Sequence, residues 1–173
     1  MLTGPLQGSW LYLLTKVHQP SRVLEIGTFT GYATVCLASA LPATAELITI
    51  EANPEYAHLI QQHVQGLESG QNINILLGDA KTILPTLAPG FDLVYLDANK
   101  QDYTWYYEVL VPMLTPGGLF LVDNVLWSGK VVFGPQDVDS AAMQTFNKRV
   151  ATDERMENVI LPLRDGLMVA RKK

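Results

Sequence analysis

The sequence predicts one α/β domain in which a mostly parallel β-sheet lies between two layers of helices. Apolar runs alternate with helical patterns along the chain, and these runs are mostly apolar instead of alternating regularly with polar residues. Strands buried on both faces have this composition, and they occur in parallel sheets. The chain has 173 residues, 48% of them hydrophobic, which is enough for a core of its own.

Each element has its own signal in the sequence. A first helix is predicted from one apolar face, formed by Leu6, Trp10, Leu13, Leu14 and Val17. Strands are predicted from five apolar runs, at 22–26, 46–50, 73–77, 92–97 and 119–123. Helices are predicted at 32–41, from 54 to 66–70, and at 82–87, 104–113 and 139–152. Pro116-Gly117-Gly118 predicts a turn into the fifth strand, and two runs joined at Arg164-Asp165 predict a terminal antiparallel pair.

Composition and charge exclude several classes of protein. The net charge of −5 and the pI near 5.1 argue against a nucleic-acid-binding protein, which normally presents a basic face. No apolar stretch approaches the roughly 20 residues of a membrane span, and no signal peptide is recognisable. The single cysteine, Cys36, excludes a disulfide framework and indicates a core residue of a cytoplasmic protein.

Acidic residues stand at or near the ends of all five apolar strands. They are Glu25, Glu51, Asp79, Asp97 and Asp123, the last followed by Asn124. In open α/β sheets, ligands bind at the carboxyl ends of the strands. An alternative is that strands end at the surface, where acids are common, but this accounts for one or two acids better than for five. The pattern therefore favours a shared binding site.

The loop "GTFTG" follows the first strand and precedes a helix. Its two glycines, Gly27 and Gly31, let the backbone approach a ligand, but the dinucleotide fingerprint requires three. A carboxylate at Glu25 would repel a pyrophosphate and attract an ammonium or a sulfonium. The alternative is that Glu25 is structural and pairs with Arg22 or with a backbone amide.

Two further strand ends suit a nucleoside. Glu51 is placed to accept hydrogen bonds from a ribose diol, and Asp79-Ala80 could bracket an adenine ring. A cationic amino acid joined to an adenosine is S-adenosylmethionine. The sequence therefore favours this cofactor over NAD.

The last two strand ends offer oxygen ligands and a lysine. Asp97, Asp123 and Asn124 form a hard oxygen set that suits Mg²⁺ or Ca²⁺, with Mn²⁺ as a further candidate. A bound cation lowers the pKa of a coordinated hydroxyl. Lys100 lies three residues past Asp97, and like-charge repulsion beside a cation would favour its neutral form, so it is a candidate base. The alternative is a surface lysine on a loop.

Together these stretches resemble a known family. "VLEIGTFTGYAT", "ITIEANPEYA", "GDA", "FDLVYLDANKQDYTWYYE", "LTPGGLFLVDNVLWSGKV" and "LPLRDGLMVARK" occur in this order. The sequence resembles the cation-dependent class I O-methyltransferases, the group that contains catechol and caffeoyl-CoA O-methyltransferases. This resemblance implies a three-layer, doubly wound, mostly parallel seven-stranded sheet with an antiparallel final strand.

The resemblance also implies roles for individual residues. Cofactor contacts fall on Thr3 in the closing segment Leu2-Thr3-Gly4, and on Glu25, Gly27, Thr28, Gly31, Tyr32, Ala33, Glu51, Asp79, Ala80 and Asp97. The metal ligands would be Asp97, Asp123 and Asn124, and Lys100 and Asp97 would be catalytic. The chain departs from the family at Gly31-Tyr32-Ala33, where a serine is usual, and in having no N-terminal helical extension. That extension helps to form the acceptor pocket and often a homodimer in relatives.

The function implied is Mg²⁺-assisted methyl transfer from S-adenosylmethionine to a hydroxyl of a vicinal diphenol, a phenolic small molecule. Trp127 and Tyr103, and also Trp105, are candidate walls for the aromatic ring, with a core role as the equal alternative. One alternative function is a nicotinamide-dependent oxidoreductase on the same type of scaffold. The other is a non-catalytic module that keeps the cofactor pocket.

Overall fold

The computed structural model describes residues 3–65, 67, 72–134 and 136–173. Within these residues it contains strands β1 Arg22–Ile26, β2 Glu46–Glu51, β3 Asn72–Leu77, β4 Phe91–Leu96, β5 Leu114–Asp123, β6 Met156–Leu161 and β7 Leu167–Lys172. The helices are α1 Pro5–His18, α2 Tyr32–Ala38, α3 Ala57–Gln65, α4 Ala80–Ile83, α5 Tyr103–Met113 and α6 Val138–Ala151. Over the same residues the seven strands form a sheet in the order β3-β2-β1-β4-β5-β7-β6. The predicted seven-stranded, mostly parallel fold is thereby confirmed.

Residue contacts divide the chain into two compact units, Met1–Phe91 and Asp92–Lys173. In the first unit β1 pairs in parallel with β2, and β2 pairs in parallel with β3. Leu24 in β1 and Ile48 in β2 are register partners, and both are buried. Parallel strands need a crossover, and α2 provides one between β1 and β2.

In the second unit β7 runs antiparallel to both β5 and β6, as the terminal strand pair predicts. Phe120 of β5 and Ala170 of β7 are register partners with no exposed surface. The turn between β6 and β7 contains Arg164, Asp165 and Gly166, two of which have positive φ angles, 53° for Arg164 and 84° for Gly166. This turn matters for the loop after β5, which is described below.

The first helix forms where it is expected, but the predicted face is wrong. Leu6, Leu13 and Val17 are 65%, 62% and 75% exposed, whereas Gln7, Gly8, Leu11 and Thr15 are buried. The reason is close packing against α2. A Cβ added at Gly8 would lie 2.8 Å from the sulfur of Cys36. The face of α1 that carries Gly8 is therefore buried, because Gly8 allows α1 to approach α2 closely. The number of apolar side chains does not decide which face is buried.

Two other boundaries differ from expectation. β5 begins at Leu114, so Pro116-Gly117-Gly118 lies within the strand instead of forming a turn before it. The predicted helix at 82–87 is a short α-helix, α4, continued by a 3-10 turn at Leu84–Thr86. The predicted extension of α3 to Gly66–Gly70 falls mostly outside the described residues. In the part of the chain that the structure describes, none of the helices has the length and apolar character to cross a membrane.

Candidate cofactor and metal sites

Among the described residues of the first unit, Glu25 is the most deeply buried acid. It has no exposed surface, and its Oε2 accepts hydrogen bonds from Thr34 at 2.5 Å and from Thr49 at 2.7 Å. The alternative partner, Arg22, donates to Glu46 at 2.8 Å and to the carbonyl oxygens of Ala88 and Pro89. Burying a carboxylate costs free energy unless hydrogen bonds satisfy it. The two threonine hydroxyls provide such bonds and thereby fix the position of Oε2. Glu25 is thus a rigid acceptor in the strand just before the glycine loop.

The glycine loop turns sharply between β1 and α2. Gly27, Phe29 and Gly31 have positive φ angles of 93°, 50° and 80°. The amide of Phe29 donates to Oε2 of Glu51 at 2.7 Å, which anchors the loop to the end of β2. The hydroxyl of Thr28 lies 2.5 Å from that of Thr49, so it is engaged inside the protein.

Glu51 remains suited to a diol. Its second oxygen, Oε1, accepts the amide of Asn53 at 2.8 Å, and the residue is 8% exposed. Each carboxylate oxygen has two lone pairs, so one backbone donor on each oxygen leaves acceptor capacity for a ribose. Asp79 caps α4 through the amide of Lys81 at 2.9 Å, with Ala80 buried behind it.

The remaining predicted cofactor residues fall into different environments. Tyr32 is 37% exposed and Ala33 is buried, both at the start of α2. Thr3 lies just before α1, whereas Leu2 is outside the described residues. Nδ1 of His63 lies 2.6 Å from the carbonyl oxygen of Thr30 in the glycine loop.

In the second unit the structure brings Asp97, Lys100 and Tyr103 together after β4. Lys100 Nζ lies 2.5 Å from Oδ1 of Asp97 and 2.6 Å from the hydroxyl of Tyr103. The side chains of Lys100 and Asp97 are 12% and 18% exposed, so this ion pair is only partly open to solvent. The surface-lysine alternative is therefore wrong for Lys100.

Asp123 and Asn124 end β5 in a buried turn, with exposures of 1% and 3%. Oδ1 of Asp123 accepts the amide of Asn124 at 2.8 Å, and Oδ2 accepts the hydroxyl of Tyr95 at 3.4 Å. Asn124 has a φ of 62°, and its Oδ1 is buried without a hydrogen-bond partner in the part of the chain that the structure describes. A buried acceptor in this state is costly unless a ligand satisfies it.

The donor set fits a hard divalent cation. Asp97, Asp123 and Asn124 supply oxygen atoms only, which suits Mg²⁺, Mn²⁺ or Ca²⁺ better than zinc. Coordination to such a cation would give the unsatisfied Oδ1 of Asn124 a partner. Among the described residues, no group of three or more His, Cys, Asp or Glu side chains could hold a metal ion, so the candidate site depends on this amide.

Tyr103 has a different place from the one expected. It has no exposed surface, its ring packs edge-on against Phe146 at 5.5 Å, and its hydroxyl donates to the carbonyl oxygen of Asp123 at 3.2 Å. Burial, followed by the nearby charges of Asp97 and Asp123, raises the pKa of this phenol well above its usual value. Tyr103 is thus a core aromatic that links Lys100 to the turn after β5, and not a wall for a substrate ring.

The two tryptophans remain candidates for a substrate wall. Trp105 is 37% exposed and packs edge-on against Tyr106. Trp127 is partly exposed and has a φ of 47° in the loop after Asn124. Two residues were missed by the sequence analysis. One is Tyr95, whose hydroxyl contacts Asp123. The other is Asn147, whose Nδ2 donates to the carbonyl oxygen of Val125 at 2.7 Å. The only signal of Asn147 is a polar residue within the predicted helix.

Comparison with known proteins decides the family. A family model described as O-methyltransferase matches residues 1–173. The chain belongs to this O-methyltransferase family. It is 38% identical over 133 residues to a catechol O-methyltransferase of Niastella koreensis, which covers 75% of this chain and 60% of that relative. It is 31% identical over 184 residues to caffeoyl-CoA O-methyltransferase 1 of Eucalyptus globulus, which covers 99% of this chain and 75% of the relative.

A solved O-methyltransferase shares the fold as well. TomG from Streptomyces achromogenes, crystallised in complex with SAM, superposes with a TM-score of 0.91 at 31% identity over 99% of this chain and 82% of TomG. Membership of the O-methyltransferase family argues against the oxidoreductase alternative, since it agrees with Glu25 and with the missing third glycine. The chain spans 60% of the length of the Niastella relative, so what that whole protein does is not transferred directly.

Proposed function

We propose that this protein transfers the methyl group of S-adenosylmethionine to a hydroxyl of a catechol-like vicinal diphenol, with a divalent cation bound by Asp97, Asp123 and Asn124. The observation that carries the proposal is the buried, unsatisfied Oδ1 of Asn124 beside the buried carboxylate of Asp123. A vicinal diphenol suits such a site because its two neighbouring oxygens can share one cation. The catechol and caffeoyl-CoA relatives support this substrate class.

The first unit supplies the groups that would bind the cofactor. Glu25 is fixed by two threonine hydroxyls and carries the charge that attracts the amino or sulfonium group. Glu51 holds the glycine loop and retains acceptor capacity for the ribose hydroxyls. Asp79 and Ala80 stand at the start of α4, where the adenine is expected. S-adenosylmethionine supplies the methyl group, and these residues bind and orient it.

Lys100 is the proposed base, and its surroundings set a condition for that role. An amine accepts a proton only in its neutral form, and Nζ of Lys100 is engaged by the carboxylate of Asp97 at 2.5 Å. A cation at Asp97 would compete for this carboxylate and lower the pKa of a coordinated hydroxyl. Tyr103, whose hydroxyl contacts both Nζ and the carbonyl oxygen of Asp123, would keep Nζ close to the turn after β5 if such a cation were bound.

Two measurements test the proposal. Calorimetric titration with S-adenosylmethionine and, in parallel, with NAD should show binding of the first only; binding of NAD alone would refute the cofactor assignment. Methylation of catechol should require Mg²⁺ and stop with EDTA. Turnover that survives chelation would remove the metal from the mechanism. Cofactor binding without turnover on any diphenol would favour the non-catalytic module.

The Lys100→Ala variant tests the base, with Lys130→Ala as the matched control. Both lysines lie 2.5 Å from an aspartate oxygen in the second unit, but Lys130 pairs with Asp137. General-base catalysis contributes about 100-fold or more, so Lys100→Ala should lower kcat by at least that factor while Lys130→Ala stays close to the wild type. A Lys100→Ala enzyme within a few-fold of the wild type would disprove the base assignment.

A further inference from the structure

The loop after β5 is held by the turn between β6 and β7. We call residues 123–128 the ligand turn, because they begin with Asp123 and Asn124. The amide of Leu126 donates to the carbonyl oxygen of Asp165 at 2.9 Å, and the amide of Val125 donates to that of Gly166 at 3.1 Å. The carboxylate of Asp165 accepts the amide of Ser128. Three successive contacts thus join two segments about 40 residues apart in sequence.

The ligand turn needs such support because its backbone is strained. Asn124, Trp127 and Ser128 have φ angles of 62°, 47° and 54°, in the left-handed region that side chains other than glycine rarely adopt. Residues in this region persist only where the surrounding structure holds them, and they cluster at functional sites. The carboxylate of Asp165 binds the amide of Ser128, one of the three strained residues. Asp165 is itself only 9% exposed, whereas Ser128 is exposed, so the bond ties an exposed part of the ligand turn to a buried carboxylate.

We propose that Asp165 is a positioning residue for the cation site: by holding the amide of Ser128, it fixes the ligand turn in the conformation that aims Oδ1 of Asn124 inward. The inference rests on the proposed function, since it concerns the same cation. Asp165 acts through hydrogen bonds and does not touch the ion. An amide side chain can accept the same bond from Ser128, whereas a methyl group cannot.

The test measures Mn²⁺ affinity, by electron paramagnetic resonance of the free ion, for the wild type, Asp165→Ala and Asp165→Asn. Losing a charge-assisted hydrogen bond should weaken Mn²⁺ binding about tenfold or more in Asp165→Ala. Asp165→Asn should stay within about threefold of the wild type, because its Oδ1 accepts from Ser128. S-adenosylmethionine affinity should be unchanged in both variants, since its proposed ligands other than Asp97 lie in the first unit and Asp97 is not part of the ligand turn.

Asp153→Asn is the control for simple loss of stability. Asp153 is also a buried acid of the second unit, but it pairs with Arg149, Arg155 and Tyr107 and makes no described contact with the ligand turn. It should lower stability and leave Mn²⁺ affinity intact. Equal Mn²⁺ affinity in Asp165→Ala and the wild type would overturn the inference alone. Equal weakening in Asp165→Asn and Asp165→Ala would also overturn it, because charge would then matter and not position. Absence of Mn²⁺ binding in the wild type would refute the metal proposal and this inference together.

Discussion

Replacing Gly166 with alanine should destabilise the protein at the contact between the β6–β7 turn and the ligand turn. The structure allows the loss in the free energy of unfolding to be calculated approximately. Gly166 has a φ of 84°, and a Cβ built there would lie 2.9 Å from the amide nitrogen of Leu126 and 3.0 Å from its Cβ. Non-bonded heavy atoms prefer about 3.5–4.0 Å. Leu126 cannot easily retreat, because its amide donates to Asp165 at 2.9 Å. The substitution therefore adds steric overlap to backbone strain.

Gly129 separates the two contributions. Its φ is 79°, nearly the same as that of Gly166, but a Cβ there meets nothing within 4 Å. Left-handed strain costs about 1–2 kcal/mol for an alanine, and the smaller entropy of its unfolded chain returns roughly 0.4–1 kcal/mol. Gly129→Ala should thus destabilise by roughly 0–1.6 kcal/mol. Overpacking adds about 1–3 kcal/mol, which brings Gly166→Ala to roughly 1–4.6 kcal/mol.

Urea unfolding followed by circular dichroism measures both variants against the wild type. Gly166→Ala should have the lower midpoint, with a difference from Gly129→Ala of about 2 kcal/mol in the free energy of unfolding. If the free energies of unfolding of the two variants agree within about 0.5 kcal/mol, the overlap with Leu126 is relieved without cost. The contact between Gly166 and the ligand turn is then not rigid. A Gly129→Ala variant that is the less stable of the two would refute the reasoning altogether.

Two further predictions concern side chains of the second unit. Tyr103→Phe keeps the buried ring but removes the hydroxyl that contacts Lys100. It should lower the free energy of unfolding in urea by about 1–2 kcal/mol, and lower kcat more than it raises the KM for S-adenosylmethionine. An unchanged kcat would show that Lys100 needs no such support. Hydrogen bonds from Arg155, chiefly, hold the pKa of Asp153 well below its usual value of 3.8. The stability that this carboxylate contributes is therefore complete above about pH 4 and is lost as the pH falls through its lower, folded-state pKa. The difference in the free energy of unfolding between the wild type and Asp153→Asn should thus narrow from pH 5 to pH 2.5. A constant difference would contradict the lowered pKa of Asp153.

The strands could be predicted because their signal is local. A run such as 93–96 is apolar throughout and buried, and burial on both faces of a parallel sheet requires that composition. The face of α1 could not be predicted in the same way. Its choice depends on Gly8 fitting against Cys36 on α2, a contact between residues that no periodicity connects. The start of β5 at Leu114 was also hidden, because a proline and two glycines normally signal a turn.

The site could be predicted as far as its residues stand at strand ends. Asp97 and Asp123 directly end or follow β4 and β5, so topology alone groups them with Lys100. Tyr103 and Asp165 have no such marker. One is a tyrosine in an apolar helix and the other an acid in a hairpin turn, and both patterns are common outside binding sites. Their proposed roles follow only from which backbone atoms they contact, the carbonyl of Asp123 and the amide of Ser128.

Asp97 is the residue on which the base and the proposed cation depend together. Its Oδ1 is engaged by Lys100 in the described geometry, so a cation held by this carboxylate would compete with the ion pair. Tyr103 would hold Lys100 in place if that pairing weakened, because its hydroxyl lies 2.6 Å from Nζ and is anchored to Asp123 at 3.2 Å. The buried tyrosine would therefore let Asp97 serve either Lys100 or the proposed cation while the proposed base stays near the turn that carries Asp123 and Asn124.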